Sequence, residues 1–404
     1  MVKVNLEIFK AYDIRGVYPS DFNEQFAEDF GHKLRVGLGV KTIVVGRDGR
    51  IASDRLARAL IAGLMSAGAN VIFLGECSTP VFYFAVNTQS AKAGVMVTAS
   101  HNPGEYSGFK VVKEKAEIIG GAELKALYEQ TQRITNETGN LSEYRAVDEY
   151  AQKVVDLAGT VINTTVVGLQ APSIVASILK KIGQKTNLTV TEEIHEATLR
   201  VQYDEDGDRI SFSEGDNKIP ADLIFALVAD KMGFKNVVHE LRFSRSVRER
   251  FQELRVKSSI SRVGRLYMYE MMKKTQADFG GELSGHFYFK SFNFLESPEL
   301  MLLYVRNIIQ KEGRNLAELV KMYDMYYRIP EKSFRRNPGA LSALEEKYKD
   351  GKIDHTDGLT VDYPEWWFNL RLSNTEPVMR LVIEAKTKEL LDQKVSELKE
   401  ILRS

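Results

Sequence analysis

The sequence predicts an α/β chain of several domains that ends in a smaller α+β domain. A length of 404 residues exceeds what one hydrophobic core usually organises. Helical and strand patterns alternate through most of the chain, which is typical of parallel sheets covered by helices. The C-terminal stretch instead favours antiparallel strands. We therefore expect three related α/β domains with mixed, largely parallel sheets and then the smaller domain, at residues 1–150, 151–234, 235–322 and 323–404.

The first range opens with an amphipathic helix, predicted over residues 21–38. Its apolar side chains recur every four residues from Phe22 to Leu38 and form one stripe. A second helix is expected from Ser53, as its N-cap, to Ala67, and a third after Pro80. Predicted strands cover residues 42–45, 71–74 and 95–97. This alternation indicates a mainly parallel sheet.

The second and third ranges repeat the alternation on a smaller scale. In the second range, helices are predicted at residues 150–157 and 173–182, and strands at 165–169, 188–191 and 199–203. In the third range, strands are predicted at residues 237–241, 258–263 and 277–279, and helices from Ser246 and over 267–274. The fourth range contains predicted strands at 366–372 and 378–385 and a closing helix from Lys388.

Composition excludes several classes of partner. Lys plus Arg and Asp plus Glu both number 55, so no overall field favours nucleic acid or an anionic membrane. No run of apolar residues is long enough to span a bilayer, and the first ten residues show no signal peptide. The single cysteine, Cys77, cannot form an intrachain disulfide and fits a reducing compartment. We expect a cytoplasmic protein with neither a nucleic-acid nor a membrane partner.

An apolar run at residues 95–97 stops abruptly on Thr98, and Ser100 follows on a predicted turn. Asn102 and Pro103 force an extended or turning backbone. Open α/β sheets bind their ligands at the carboxyl ends of strands, where Ser100 would lie. The alternative is an ordinary turn, since small hydroxyl residues before a proline commonly form one.

Asp204, Asp206 and Asp208 follow the last strand of the second range. Like charges at alternate positions repel, and a divalent cation relieves that repulsion. An EF-hand loop is excluded because Arg209 stands where it needs glycine and Gly215 where it needs a bidentate acid. The open alternatives are a solvated acidic turn and a Mg²⁺ site that a phosphate completes.

Two further loops carry polar side chains. The glycine-hinged stretch at residues 280–286 offers a carboxylate, a hydroxyl and an imidazole, which suit a ligand with many hydroxyls. A donor cluster suited to a phosphate lies in the fourth range, with an ordinary capped turn as the alternative. Its members are Arg371, Ser373, Asn374, Thr375 and Arg380.

In chain order, these stretches resemble the α-D-phosphohexomutase superfamily and, within it, the phosphomannomutase/phosphoglucomutase group. The resemblance spans essentially the full chain. Residues 9–16 (FKAYDIRG) resemble its opening motif, and GRDGR at 46–50 follows. TASHNP at 98–103 resembles its active-serine loop and DEDGDR at 204–209 its metal loop. GELSGH at 281–286 resembles its sugar-recognition loop and RLSNTEP at 371–377 its phosphate-binding loop.

The resemblance implies an isomerase whose four domains surround a central cleft. It implies interconversion of hexose 1-phosphate and hexose 6-phosphate, with a phosphoserine at Ser100, bound Mg²⁺ and a hexose 1,6-bisphosphate intermediate that also serves as activator. The phosphate on Ser100 and the three aspartates would hold the metal. The implied partner is a phosphorylated hexose, and the implied assembly is a monomer or small homo-oligomer.

The resemblance also assigns side-chain roles. Lys110 is the implied general acid/base, with a pKa expected to fall through burial beside Mg²⁺ and Arg15. His101 is expected to steady the phosphoserine. The implied substrate-binding residues are Tyr12, Arg209, Arg242, Arg265, Glu282, Ser284, His286, Arg371, Ser373, Asn374, Thr375 and Arg380.

Three features depart from the family pattern. Only 50 positions separate Val154 from Asp204, so the second domain is shortened. Arg242 stands where a lysine is usual, and Gly264-Arg265 where a Gly-His pair is usual. The sugar loop favours mannose or glucose phosphate over glucosamine phosphate. Phosphoglucosamine mutase and a non-catalytic sugar-phosphate-binding protein are the alternatives.

Overall fold

The computed structural model describes residues 5–21, 23–132, 138–159, 163–192, 199–337, 339–373 and 378–403. Its contacts divide the chain into two compact units, one of residues 1–219 and 284–316 and the other of residues 220–283 and 317–404. Within the described ranges, no helix has both the length and the apolar character required to cross a membrane.

Residues 14–143 form a mixed six-stranded sheet with helices packed on it, as predicted. The strand order is β1-β5-β4-β2-β3-β6, with β2, β3, β4 and β6 parallel and β5 antiparallel to β1 and β4. The elements are β1 Ile14–Val17, α1 Glu24–Leu38, β2 Thr42–Arg47, α2 Ile51–Ser66, β3 Asn70–Glu76, α3 Thr79–Thr88, β4 Ala93–Val97, β5 Tyr106–Lys113, α4 Gly121–Gln130 and β6 Leu141–Glu143.

The ends of these helices correct two predictions. Helix α1 begins at Glu24 because the Asn23 side chain caps it, accepting hydrogen bonds from two backbone amides of the first turn. Arg50, not Ser53, precedes helix α2. Ser53 lies within the helix, where its hydroxyl donates to Asp48 at 2.5 Å. The predicted apolar stripe is buried at Phe26 and Phe30, while Phe22 lies outside the described residues.

Residues 147–219 form a second, smaller mixed sheet. Its order is β11-β10-β9-β7-β8, with β7 parallel to β8 and β9. Both helices are longer than predicted. The elements are α5 Val147–Ala158, β7 Thr165–Gln170, α6 Ser173–Thr186, β8 Leu188–Thr191, β9 Leu199–Tyr203, β10 Ile210–Glu214 and β11 Asn217–Ile219.

Residues 221–312 are shared between the two units. In the second unit, β12 pairs in parallel with both β13 and β14, whereas β15 and β16 form an antiparallel pair in the first. The elements are α7 Ala221–Lys231, β12 Asn236–Glu240, α8 Arg245–Glu253, β13 Lys257–Ser261, α9 Arg265–Thr275, β14 Phe279–Gly281, β15 Phe287–Phe289, β16 Leu295–Glu296 and α10 Pro298–Glu312.

The C-terminal stretch is an antiparallel sheet with helices, which confirms the predicted α+β character. Strand β22 pairs with β17, β18 and β21, and β20 joins β21 to β19. The elements are α11 Leu316–Val320, β17 Tyr327–Arg328, β18 Lys332–Arg335, α12 Ala340–Lys347, β19 Lys352–Asp354, β20 Leu359–Asp362, β21 Trp366–Leu372, β22 Val378–Ala385 and α13 Lys388–Arg403.

Candidate active site

The Ser100 loop leaves the carboxyl end of β4, as the sequence predicts. All five residues of that strand are buried, and Ser100 itself is only 2% exposed. Its backbone has a φ of 50°, a left-handed conformation that costs a non-glycine residue about 1 kcal/mol. The Ser100 amide donates to the Thr98 hydroxyl at 2.8 Å. The surrounding contacts therefore hold the serine in a conformation that it would not adopt alone.

Arg50 fixes this loop from the adjacent strand end, a role that the sequence analysis did not assign. Its guanidinium donates to the carbonyl oxygens of Ser100 at 2.5 Å, Asn102 at 2.6 Å and Pro103 at 2.8 Å. Strands β2 and β4 are parallel neighbours, so the loops that follow them meet at one edge of the sheet. The only available signal was the position of Arg50 in the GRDGR motif.

We expect Arg50→Lys to lower kcat roughly 10- to 100-fold with little change in KM, because a small misplacement of a reacting group costs this much. A lysine ammonium is a point charge and cannot span three carbonyl oxygens as a planar guanidinium does. Steady-state kinetics on the hexose 1-phosphate that the sequence resemblance implies measures the effect. Arg58→Lys, at an exposed arginine of α2 that pairs with Asp54, is the matched control. Equal kcat values for the two variants would contradict the assigned role.

The aspartate loop follows β9, and it meets the serine loop. The Ser100 hydroxyl donates to Asp204 Oδ2 at 3.0 Å, and the Arg209 amide donates to Asp204 Oδ1 at 3.1 Å. Carboxylate oxygens of Asp204, Asp206 and Asp208 lie within 4.8 Å of one another. Burial, together with the charges of the other two aspartates, raises the pKa of Asp204 to about 8.

The donor set of this loop fits a hard divalent cation. Asp206 Oδ1 and Asp208 Oδ1 are buried and have no hydrogen-bond partner among the described residues. Leaving a buried carboxylate oxygen without a partner is costly, and a bound cation removes that cost. Oxygen-only ligands are those that Mg²⁺ prefers.

Lys110 lies on β5, opposite Met96 of β4, and its ammonium donates to two of the aspartates. Its Nζ is 2.6 Å from Asp206 Oδ2 and also contacts Asp208 Oδ2. Burial alone would lower the pKa of Lys110, but the charges of Asp206 and Asp208 outweigh burial and raise it. The expected lowering of this pKa is therefore wrong for the arrangement described. That expectation did not take account of Asp206 and Asp208, which lie next to Lys110 only once the chain has folded.

Thr79 is a second contact of the aspartate loop that the sequence analysis missed. Its hydroxyl donates to Asp206 Oδ2 at 2.6 Å, and its amide donates to the Asp206 carbonyl oxygen at 2.8 Å. Thr79 is the first residue of α3, so the start of that helix orients the carboxylate. Asp206 Oδ2 is thus held by hydrogen bonds, while Oδ1 stays available to a ligand such as a cation.

His101 and Arg15 complete the surroundings of Ser100. The Nδ1 atom of His101 lies 3.3 Å from the serine Oγ, which agrees with a steadying role. Burial, together with the charges of Arg209 and Arg15, lowers the pKa of His101 to about 3, so its imidazole is neutral at pH 7. Arg15 donates to Asn102 Oδ1 and to Asp13, and it therefore braces the serine loop from β1.

His286 contacts the end of the aspartate loop. The Arg209 Nε atom donates to His286 Nε2 at 3.0 Å, so a neutral imidazole carries its proton on Nδ1. That atom lies 3.4 Å from Glu296 Oε1 and 3.7 Å from Asp208 Oδ1. The Ile210 amide donates to the Gly285 carbonyl oxygen at 3.1 Å, which joins this stretch to β10. In the described arrangement His286 therefore contacts Arg209 and the acidic groups.

A separate cluster in the second unit brings together three of the predicted substrate-binding arginines. Arg242 pairs with Glu240 through Nε at 2.7 Å and Nη2 at 2.8 Å. Glu331, which the sequence analysis did not single out, accepts from Arg242 and, at 2.9 Å, from Arg380. Arg371 Nη2 lies 3.8 Å from the same carboxylate.

The remaining predicted residues take the following positions. Tyr12 is half-buried just before β1, and Ser284 is exposed. Glu282 is buried after β14, Arg265 is buried at the start of α9, and the Ser373 amide donates to the Val378 carbonyl oxygen. Asn374 and Thr375 lie outside the described residues.

Comparisons with known proteins relate most of the chain to one family. The family model described as phosphoglucomutase/phosphomannomutase, alpha/beta/alpha domain I, matches residues 6–138. The models of alpha/beta/alpha domain III and the C-terminal domain of the same family match residues 220–326 and 327–401. A phosphomannomutase of Methanocaldococcus jannaschii is 32% identical, with 98% of each sequence covered.

Two further similarities extend over the whole chain. Phosphohexose mutases of Xanthomonas campestris pv. campestris are 31% identical over 99% of this chain and 100% of the relative. The crystal structure of a phosphoglucomutase/phosphomannomutase family protein from Burkholderia thailandensis matches with a TM-score of 0.87 at 24% identity. That match covers 99% of this chain and 98% of the other, and it shows the fold.

Proposed function

The chain belongs to the phosphoglucomutase/phosphomannomutase family of the α-D-phosphohexomutase superfamily, and from this premise we propose that it interconverts the 1- and 6-phosphates of mannose or glucose. The chain is thus an isomerase that transfers a phosphoryl group. The proposal adds a phosphoserine at Ser100, a Mg²⁺ requirement and a hexose 1,6-bisphosphate intermediate. The observation that carries it is the contact between the Ser100 hydroxyl and Asp204, within a group of three aspartates that suits a divalent cation.

The proposed reaction has two balanced halves. The 6-hydroxyl oxygen of a hexose 1-phosphate attacks the phosphorus of phospho-Ser100. The bond from O6 to phosphorus forms as the bond from Oγ breaks, and the hydroxyl proton ends on Oγ. After the bisphosphate reorients within the site, Ser100 Oγ attacks the phosphorus of the 1-phosphate. The bond from Oγ to phosphorus forms as the bond from O1 breaks, the serine proton passes to O1, and the hexose 6-phosphate leaves.

The side chains of this chain position and stabilise the transferring group. Arg50 and Arg15 hold the serine loop, and His101 contacts Oγ. Asp204, Asp206 and Asp208 would hold Mg²⁺, which would supply positive charge against the phosphoryl oxygens. Lys110, as an ammonium, can donate a proton from Nζ, and its role as proton carrier remains part of the proposal.

The sugar and phosphate contacts are proposed from the motif positions. Glu282 and Ser284 would bind hydroxyls, and Arg371, Ser373 and Arg380 would bind the phosphate that is not transferred. The proposal also includes four domains, at residues 1–150, 151–234, 235–322 and 323–404. It further includes a cytoplasmic location and an assembly that is a monomer or small homo-oligomer. Phosphoglucosamine mutase is the enzymatic alternative, because Arg242 and Arg265 stand where a lysine and a histidine are usual, and the fixed fork of a guanidinium changes the geometry offered to the sugar.

A coupled assay with three substrates tests this function. Phosphorylated protein, Mg²⁺ and a hexose 1,6-bisphosphate are supplied with mannose 1-phosphate, glucose 1-phosphate or glucosamine 1-phosphate. We expect turnover of the first two at rates that exceed the third at least tenfold. Preference for the glucosamine compound would replace the sugar assignment. Absence of turnover with all three would favour a sugar-phosphate-binding protein without catalysis.

A further inference from the structure

Three arginines of the second unit surround a single carboxylate, and we propose that Glu331 is a resident anion that sets how tightly this site binds the phosphate of the substrate. The inference rests on the proposed function, in which Arg371 and Arg380 bind a phosphate. It adds an affinity-setting residue, because Glu331 competes with the ligand for the same guanidinium groups.

The positions of Arg371 and Arg380 make an anion between them necessary. The two residues are directly opposite each other on β21 and β22. Like charges in directly opposed positions destabilise a sheet pair unless a counter-charge intervenes. Glu331 supplies it, with Oε1 at 2.9 Å from Arg380 Nη1 and Oε2 at 3.8 Å from Arg371 Nη2.

Arg242 reaches the same carboxylate from the end of β12. Its Nε and Nη2 atoms are already paired with Glu240, so only Nη1 is directed at Glu331. Glu240 and Asp357 also act on these arginines, and Glu282 interacts electrostatically with Glu240. Loss of the Glu331 carboxylate makes the net charge of this group more positive by one. Guanidinium forks bind carboxylate and phosphate oxygens with the same geometry, so a phosphate can take the place of Glu331.

Arg380 is 28% exposed but lies within β22, and Glu240 is fully buried, so Glu331 is the member of the cluster best able to move. It lies between β17 and β18, outside any strand, and its side chain is 22% exposed. The side chains of Arg242 and Arg371 are only 7% and 5% exposed and are fixed in or next to strands. Burial by itself would raise the pKa of Glu331, but Arg242 and Arg380 hold it below its usual range. The residue is therefore a carboxylate at neutral pH.

Glu331→Gln removes the competing charge and keeps the size of the side chain. We expect the Kd for inorganic phosphate, measured by isothermal titration calorimetry on the full chain in EDTA, to fall roughly twofold to fivefold, the effect of losing one partly exposed ion pair. Glu345→Gln is the matched control, because Glu345 is an exposed carboxylate whose neighbour is His355. It should leave the Kd unchanged. Phosphate binding that persists unchanged in Arg371→Lys belongs to another site. This contribution is subtracted before the Kd values are compared.

Kinetics provides the second measurement. KM for a hexose 1-phosphate should fall in Glu331→Gln while kcat stays the same or decreases, because tighter ground-state binding does not accelerate the chemistry. If Glu331→Gln fails to fold, as judged by thermal unfolding, Glu331→Asp replaces it. The shorter carboxylate reaches fewer guanidinium groups, so we expect a smaller fall in both Kd and KM.

Unchanged or weaker phosphate binding in a folded Glu331→Gln protein would overturn the inference, because a competing anion cannot be removed without a gain in affinity. The result is separable from the proposed function. An enzyme that turns over hexose phosphates without this gain refutes the inference alone. A gain in phosphate affinity without turnover of any hexose phosphate refutes the function alone.

Discussion

Replacing Ser100 with alanine should reduce turnover of hexose 1-phosphate by on the order of 10⁴-fold or more, as removal of a covalent nucleophile does in other enzymes. The alanine has no oxygen to carry the phosphoryl group between the two halves of the reaction. The substitution also removes the donor to Asp204 Oδ2 and the contact to His101 Nδ1, which are the hydrogen bonds of Ser100 Oγ within the described part of the chain. The fold should therefore be retained, and intact mass should show the phosphate on the wild-type protein and not on Ser100→Ala.

Ser66→Ala tests whether any serine substitution has this effect. Ser66 is an exposed serine at the end of α2 whose hydroxyl donates to the Gly63 carbonyl oxygen and lies 2.9 Å from His32 Nδ1, outside the candidate site. We expect this variant to keep wild-type turnover and phosphate content. A Ser100→Ala protein that retains its phosphate, or more than a tenth of its turnover, would show that Ser100 is not the phosphoryl carrier.

The serine and aspartate loops could be predicted because their signals are local. An apolar run that stops before Asn102-Pro103 indicates a strand and its turn, and β4 with its Ser100 turn confirms this. The alternation of Asp204, Asp206 and Asp208 is equally visible in the sequence. Both loops are short segments whose conformation depends mainly on neighbouring residues. The α/β class was predictable for the same reason.

The contacts of Lys110 and Glu331 could not be predicted, because they join segments far apart in the chain. Lys110 meets Asp206 across 96 positions, and Arg242 meets Glu331 across 89. No local pattern encodes such a distance, so the expected fall of the Lys110 pKa beside Mg²⁺ and Arg15 did not take account of Asp206 and Asp208, which raise it in the described arrangement. Strand β5, which carries Lys110, was also missed, since its pairing with β1 and β4 is what defines it.

Lys110→Met should lower kcat by roughly 10²- to 10⁴-fold, the usual contribution of a general acid or base. It should also destabilise the protein in EDTA by about 3 kcal/mol, because breaking a buried ion pair leaves its carboxylates uncompensated. The side chains of Lys110, Asp206 and Asp208 are 6%, 0% and 0% exposed, so water cannot replace the lost ammonium. Chemical denaturation in EDTA gives the stability, and the coupled assay gives kcat.

Added Mg²⁺ distinguishes the two roles of Lys110. If Mg²⁺ binds Asp206 and Asp208 as proposed, it competes with the Lys110 ammonium in the wild-type protein, so Mg²⁺ should stabilise Lys110→Met more than it stabilises the wild type. Saturating Mg²⁺ should compensate the charges of Asp206 and Asp208 in Lys110→Met, but it does not replace the lost proton carrier. We therefore expect kcat of this variant to stay low. Lys113→Met, at a partly exposed lysine of the same strand that pairs with Glu123, is the matched control and should change neither quantity. If Mg²⁺ restores kcat in Lys110→Met, the lysine serves only to hold the aspartates together. If Mg²⁺ stabilises the variant and the wild type equally, the two cations do not share these carboxylates, and the metal belongs elsewhere.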